Sequence, residues 1–278
     1  MVKIIIAGDF APCARVAQFI ESEQYNAVFS EVKQYISLAD YSIVNFEAPI
    51  VTTDQALPIS KFGPNLRCND NAVRALKYVG FNLVTLANNH INDYGNNGIK
   101  NTITACNDIG IEYVGIGNDL EQASRIFFKT INGLRIAFIN CCESEFSIAT
   151  KESSGANPLN PIKQYYDIIE ARKHADKVIV IVHGGHEHFQ LPSPRMKELY
   201  RFYADVGADV VINHHQHSYS GYELYNGSLI FYGLGNFCFD IDPIKVDTGW
   251  NLGYMVELCF DQTVSFKILP YRQCCESP

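Results

Sequence analysis

Short apolar runs alternate along the chain with longer stretches in which apolar positions recur every three or four residues. Val2 to Ala7, Tyr41 to Asn45, Asn82 to Leu86, Lys177 to Val182 and Asp209 to Ile212 are brief, rich in β-branched residues and closed by polar residues or Gly, which predicts five buried strands. Between them, Asn71 to Tyr78 sets Ala72, Val73, Leu76 and Val79 at helical spacing and stops at Gly80, and Asn97 to Ile109 stops at Gly110. Pro161 to His174 and Pro194 to Val206 open on Pro, which suits a first helical turn because an N–H there has no intrahelical partner to lose. A second pattern adds hairpins. Ile126 to Ile131 and Leu134 to Cys141 flank Asn132-Gly133, and Tyr222 to Tyr225 and Leu229 to Tyr232 flank Asn226-Gly227, the pair that favours a two-residue type I′ turn. Tyr254 to Phe260 and Val264 to Leu269 predict a third hairpin, within a C-terminal segment spanning 250–271. An α/β chain with inserted and terminal hairpins predicts a mixed or two-sheet core with helices outside, not a purely parallel doubly wound sheet. Without linker, repeat or low-complexity stretch, residues 1–278 are expected to form one domain, with Lys151 to Asn160 as a mobile surface loop.

Composition narrows the function. Of 278 residues, 47% are hydrophobic and 19% charged, which excludes disorder and coiled coil. Lys plus Arg is 22 and Asp plus Glu is 30, so the net charge of 22 − 30 = −8 has the wrong sign for gripping nucleic acid. The many Tyr and Phe lack the basic stripe of a base-stacking platform. Nine Cys without C-x-x-C spacing, including the adjacent pairs Cys141-Cys142 and Cys274-Cys275, predict reduced thiols. The opening MVKIIIAGDF has one Lys and an apolar run, ending at Asp9, that is too brief for a signal peptide and lacks a cleavage site, and no run approaches the roughly 18 apolar residues of a membrane span. The expectation is a cytoplasmic protein with no integral membrane segment.

The polar residues that follow the predicted strands carry the chemistry. Asp9 follows the first, Asn45 and Glu47 the second, Asn88-Asn89-His90 the third, His183 the fourth and Asn213-His214-His215-Gln216-His217 the fifth. Loops at the carboxyl ends of such strands converge on one edge. All His but His174, expected on a helix surface, lie in these loops. Carboxylate, imidazole and amide oxygen together suit Zn²⁺, Mn²⁺ or Fe²⁺, whereas Ca²⁺ takes oxygen alone and structural Zn²⁺ usually takes Cys. Two such ions can hold a hydroxide nucleophile and clamp a phosphoryl group, letting a chain of charge −8 bind phosphate, while a spare imidazole protonates the leaving oxygen. The same metals could also act on an amide. Gly233 to Phe237 lacks the spacing and helix start of a phosphate loop and is expected to make a tight turn beneath the site. Trp250, in DTGWNLG, could cap the pocket or cover a hairpin end, and the second is the expectation.

Ala7-Gly8-Asp9, Asn45-Phe46-Glu47, Leu86-Ala87-Asn88-Asn89-His90 with Asp93-Tyr94-Gly95, His183-Gly184-Gly185-His186-Glu187, Gly207-Ala208-Asp209 through His217, and Tyr232-Gly233-Leu234-Gly235-Asn236-Phe237 stand in an order that resembles the capsule-synthesis CapA family. That family is similar to the calcineurin-like metallophosphatases, and the resemblance covers about residues 2–240. It implies a four-layer α/β/β/α sandwich of two mixed sheets with outer helices and a dinuclear metal centre between the sheets. By motif it places Asp9 and His217 on the first metal, Asn89, His183 and His215 on the second, Glu47 in the bridging place that is usually Asp, and His90 as general acid. Asn45, Lys61, Asn88, His186, Glu187, His188 and Asn236 are expected to surround the substrate or support the ligands. Lys61 matches a family Lys that would meet a substrate anion, and Glu187 matches an acidic position characteristic of the family.

The wider metallophosphatases begin D-x-H, but here the residue two after Asp9 is Ala11. The first metal therefore lacks a ligand, and His186, His188, Glu187 or water would have to fill the place; occupancy of both positions turns on this. His214 replaces the usual Gly and is expected as an extra imidazole behind the ligands or on the surface. The resemblance implies a metal-dependent phosphoester hydrolase with two divalent ions (Mn²⁺, Fe²⁺ or Zn²⁺). It would act on a phosphorylated small molecule or polymer in bacterial capsule or surface-polymer synthesis, among other capsule-synthesis proteins. The alternatives are a non-catalytic metal- or polymer-binding accessory subunit and a metal-dependent amide hydrolase acting on an anionic polymer.

Overall fold

The first strand, β1 (Val2–Ala11), organises the molecule in this computed structural model, which describes residues 1–53, 56–241, 249–261 and 263–274. On one side it leads through β2 (Tyr41–Phe46) and β3 (Leu83–Thr85) to β4 (Glu112–Val114), all parallel. The chain then makes the two-residue β5 (Ile116–Gly117) and starts a second sheet with the hairpin β6 (Phe127–Ile131) and β7 (Leu134–Cys142). After β8 (Gly155–Ala156), which pairs with β5, that sheet continues through β9 (Lys177–His183), β10 (Val210–His214) and the hairpin β11 (Tyr222–Tyr225) and β12 (Ser228–Phe231), in the order β11-β12-β10-β9-β7-β6. Finally β13 (Asn236–Phe239), β14 (Leu252–Phe260) and β15 (Val264–Arg272) return to the first sheet, where β13 and β14 both pair with β1.

Alternation along the strands sorts the apolar residues into three layers. Ile5 and Ala7 of β1 face helices α1 (Ala14–Glu21), α2 (Tyr25–Ile36), α3 (Asn71–Val79) and α4 (Gly95–Ile109), meeting Val16, Phe29, Leu76 and Ile99. Their neighbours Ile4 and Ile6 face the second sheet and pack with Phe138, Ile181 and Ile212. The far side of the second sheet packs Val180 and Val211 against Ile168 and Tyr200, from the helices that follow the short α5 (Leu120–Ala123), namely α6 (Pro161–His174) and α7 (Pro194–Val206). The result is the expected α/β/β/α sandwich. Because β1 is apolar on both faces as far as Ala7, hydrophobic pattern alone sets its register weakly. Asp9 supplies the missing constraint, since a slip would drive its carboxylate into an apolar layer.

The four predicted helices and three hairpins form, with ends shifted by no more than a few residues. Helices α1 and α2 were not anticipated. The Cys13 side chain makes no capping bond, no acidic residue marks either first turn, and tertiary packing of Val16, Ile20, Phe29 and Ile36 decides the helices. The expectation of a mobile loop at Lys151 to Asn160 is wrong. Residues 154–157 are buried, Ala149 donates its N–H to the Ala156 carbonyl, Ala156 donates to the Ser147 carbonyl, and Asn157 donates its N–H to the Gly115 carbonyl. Gly233 to Phe237 is a turn only as far as Gly235; from Asn236 it is strand β13. The described cysteines are all free thiols, and Cys275 lies outside the described residues.

One close approach positions the site. Asp9 donates its backbone N–H to the Gly235 carbonyl at 3.2 Å, and a Cβ on Gly8 would lie 1.9 Å from that same oxygen. Gly8→Ala is expected to cost about 1–3 kcal/mol or more through overpacking and to lower the melting temperature by several degrees. A thermal melt equal to wild type would show that β1 and β13 separate without penalty.

Candidate metal centre

Strands from both sheets end at one place. The pairing of β1 with β2 shifts register between Ala7 and Asp9, a bulge that re-aims the Asp9 side chain. Asp9 Oδ1 accepts from Asn45 Nδ2 at 2.8 Å, and its Oδ2 accepts the backbone N–H of His215 at 3.1 Å, from the opposite sheet. Glu47, just after β2, is fully buried. Its Oε2 lies 3.4 Å from the same Asn45 nitrogen, but its Oε1 has no hydrogen-bond partner. That oxygen stands 3.6 Å from His183 Nε2 and 3.7 Å from His217 Nε2, too far for hydrogen bonds.

The imidazoles come from the second sheet. His183 ends β9 with Nε2 3.1 Å from Oδ1 of Asn89, which follows β3. His215 and His217, after β10, adopt φ of 88° and 49°, left-handed backbone that costs a non-glycine residue of order 1–3 kcal/mol and recurs at functional sites. His217 Nδ1 donates to Asn236 Oδ1 at 2.8 Å. Asn236 Nδ2 donates to the Trp250 carbonyl, which fixes the amide's orientation and leaves His217 Nε2 as a free lone pair facing Glu47. A histidine whose other nitrogen is so engaged is oriented as metal ligands are.

Three groups of donor atoms result, each mutually within 4.8 Å: Asp9, Glu47 and His217; Glu47, His183 and His215; and Glu187, His215 and His217. Glu47 belongs to both inner groups. Burial pushes its carboxyl well above its ordinary value, and the charges of Asp9, Glu187, Asp93 and Glu145 push the same way. Burial lowers His183 far below the usual imidazole range and His215 to about 4, so both are neutral lone-pair donors at pH 7. For Asp9, burial acts upward but is outweighed by His214, His183 and His217, which hold the carboxyl below its usual range. An unpartnered carboxylate oxygen among neutral imidazoles is a costly arrangement for protein atoms alone. A divalent cation would satisfy it, and this mixed oxygen and nitrogen set fits Zn²⁺, Mn²⁺ or Fe²⁺.

Beside these groups, His90 Nδ1 lies 2.7 Å from Asp93 Oδ2 and 3.2 Å from the Lys61 ammonium, and Lys61 is itself ion-paired with Asp93. All three are buried side chains. Asn88 holds the turn, donating to the Phe46 carbonyl at 2.8 Å and accepting the His90 N–H at 3.2 Å. His186, Glu187 and His188 sit on an exposed loop; His186 meets Phe189, His188 meets Trp250, and Glu187 alone of the three joins a donor group.

Several residues gain a place that sequence did not supply. Asp93 has a sequence signal, three residues after His90 and so on the same turn. Glu145 Oε1, 3.7 Å from His215 Nε2, has none, because it arrives from a loop after β7. His214 is buried, with Nδ1 3.3 Å from Asp9 Oδ1, so it stands behind the ligands and not on the surface. Trp250 corrects an expectation. Its ring lies 4.8 Å from His217 and 4.9 Å from Phe239, at the edge of the site, with Nε1 donating to the Phe239 carbonyl. Asp247 and Thr248 of the same loop lie outside the described residues. From Trp250 a cleft of about 630 Å³ runs past His188, Phe189, Leu191, Ser218 and Ile241.

Among known proteins, the family described as "Bacterial capsule synthesis protein PGA_cap" matches residues 3–241. The "Capsule biosynthesis protein CapA" of Bacillus anthracis is 35% identical over 243 residues, 84% of this chain and 59% of that protein. The "PGA biosynthesis protein CapA" of Bacillus subtilis is 35% identical over 237 residues, 84% of this chain and 62% of that protein. The chain thus spans about 60% of the length of the relatives it matches. In fold, it is similar to a putative 5′-nucleotidase from Staphylococcus aureus, at a TM-score of 0.57 and 14% identity over 99% of this chain and 55% of that one. The fold is that of the metallophosphatases. Among the described residues, no helix is long and apolar enough to cross a membrane.

Proposed function

The chain belongs to the bacterial capsule synthesis family PGA_cap, and from that premise we propose that it is a metal-dependent phosphoester hydrolase of capsule or surface-polymer synthesis. The observation that carries this reading is Glu47 Oε1, buried and without a hydrogen-bond partner between imidazoles of the opposite sheet. Asp9, Glu47 and His217 would hold one divalent ion, and Glu47, His183 and His215, with Asn89 beside them, the other. Such a pair supplies a Lewis-acid clamp on phosphoryl oxygens and lowers the pKa of bound water. The chain's own residues do the rest. Asn45 keeps the Asp9 and Glu47 carboxylates in place by donating toward both. Asp93 accepts from His90 Nδ1, orienting the ring so that Nε2 delivers a proton to the leaving oxygen. Lys61, spent on Asp93, holds that pair instead of standing free. Trp250 walls the cleft in which the rest of the substrate lies.

A second reading has its own support. Glu145 and Glu187, both substantially exposed, add negative charge at the mouth and oppose a dianionic phosphomonoester, which favours a diester or the amide of a polymer. The test is metal content after reconstitution with Mn²⁺, Fe²⁺ or Zn²⁺, together with release of phosphate, alcohol or amine from generic monoester, diester and amide substrates. Two bound ions with turnover of a phosphoester is the expected result. Amine release alone would replace phosphoester by amide hydrolysis, and bound metal without any turnover would leave an accessory binding protein.

A further inference from the structure

Two inner donor groups account for Asp9, Glu47, His183, His215 and His217, each offering three imidazole or carboxylate donor atoms, with Asn89 Oδ1 beside one of them, and ions of this kind take four or more ligands. The third group has a different composition. Glu187 shares His217 with one inner group and His215 with the other, while Glu47 is common to both inner groups from the buried side. Glu187 therefore stands across the open face, over both positions, with half of its side chain exposed.

Its placement is built into the backbone. The His188 N–H donates to the Gln216 carbonyl at 2.8 Å, and Gln216 Nε2 donates back to the Phe189 carbonyl at 2.8 Å. Gly184 N–H donates to the His214 carbonyl, and Gly185 N–H to Glu143 Oε2 at 3.2 Å. Gly185 and His188 take positive φ, of 104° and 64°, on either side of Glu187. This loop is thus strapped to the segment that carries His215 and His217. Among the described residues the carboxylate pairs with His188 Nε2 at 3.9 Å, too long for a hydrogen bond.

We propose that Glu187 is a metal ligand, a carboxylate that closes the solvent side of the centre opposite Glu47 and reaches the ions held by His215 and His217. The inference rests on the metal-centre reading above. Calorimetric titration with Mn²⁺ tests it on the wild type, Glu187→Gln and Glu145→Gln, the last removing a neighbouring carboxylate that joins no donor group. Glu187 is half exposed, so its variant folds as the wild type does, which a metal-free melting curve verifies. Wild type binding two equivalents, Glu187→Gln binding at least one of them some ten- to hundredfold more weakly, and Glu145→Gln staying within threefold is the expected result. Equal binding by Glu187→Gln and wild type overturns the assignment while leaving the centre intact. So does an equal loss in Glu145→Gln, which would reduce Glu187 to a through-space charge. A wild type that binds no Mn²⁺ overturns the centre itself, and this ligand with it.

Discussion

Glu47→Gln is expected to leave the metal-free protein more resistant to unfolding than the wild type at neutral pH, while weakening its affinity for divalent cations by about a hundredfold or more. Both effects follow from the same oxygen. Burial, reinforced by Asp9, Glu187, Asp93 and Glu145, raises the Glu47 carboxyl well above 4.5 in the folded protein. In the unfolded chain it ionises near that ordinary value. As pH rises above about 4.5, the unfolded state therefore releases a proton that the folded state retains, and the stability of the metal-free wild type falls. Gln does not titrate, so the two proteins should melt alike near pH 4 and separate as pH rises. Saturating Mn²⁺ reverses the order, because it binds the folded wild type and not its unfolded chain. Melting curves at pH 4 and 7.5, with and without Mn²⁺, check all of this. A metal-free Gln variant less stable than wild type at pH 7.5 would mean that Glu47 is satisfied by protein alone.

The second large effect is on turnover. His90→Ala should lower kcat for a phosphoester about 10²- to 10⁴-fold with bound metal unchanged, since His90 belongs to none of the donor groups. The choice of His90 over Asp93 matters. Asp93 also accepts the Leu66 N–H at 2.7 Å, and its carbonyl accepts the Ile59 N–H, so removing it would disturb the segment that carries Lys61. His90 touches that segment only through the Lys61 ammonium, which Asp93 still holds, so its loss bears chiefly on the proton transfer. Turnover within threefold of wild type would remove His90 from the chemistry, and loss of metal would make it a ligand. Measuring both on one preparation separates these outcomes.

Much of this was legible in the sequence because strand ends are legible. Val2 to Ala7 and Lys177 to Val182 are unmistakable as buried strands, and the first polar residues beyond them, Asp9 and His183, had to lie at a sheet edge. The hairpin at Asn132-Gly133 and the helix beginning at Pro161 carry local turn and cap chemistry strong enough to survive tertiary context. What remained hidden depends on distant partners. Helices α1 and α2 have weak local signals and exist because Val16 and Phe29 pack under β1. Lys151 to Asn160 has the composition of a loop but is held by β5, some forty positions earlier in the chain. Glu145 reaches the site from a segment whose own sequence carries no hint of it, and for Trp250 the local sequence does not choose between the pocket and a hairpin end.

The division of the donors between two sheets bears on when the site can assemble. Asp9, Glu47 and Asn89 come from the first hundred residues, and His183, His215 and His217 from the second sheet, which is complete at β12. The first sheet is not complete until β13, β14 and β15 return to β1, and Asn236, which orients His217, arrives only with them. A growing chain thus exposes one unpaired edge of β1 while most of the ligand residues are already made. Contacts this far apart in sequence make for slow folding. A cation meeting the chain early would find scattered carboxylates and imidazoles, and only the last strands to arrive turn them into a single receptor.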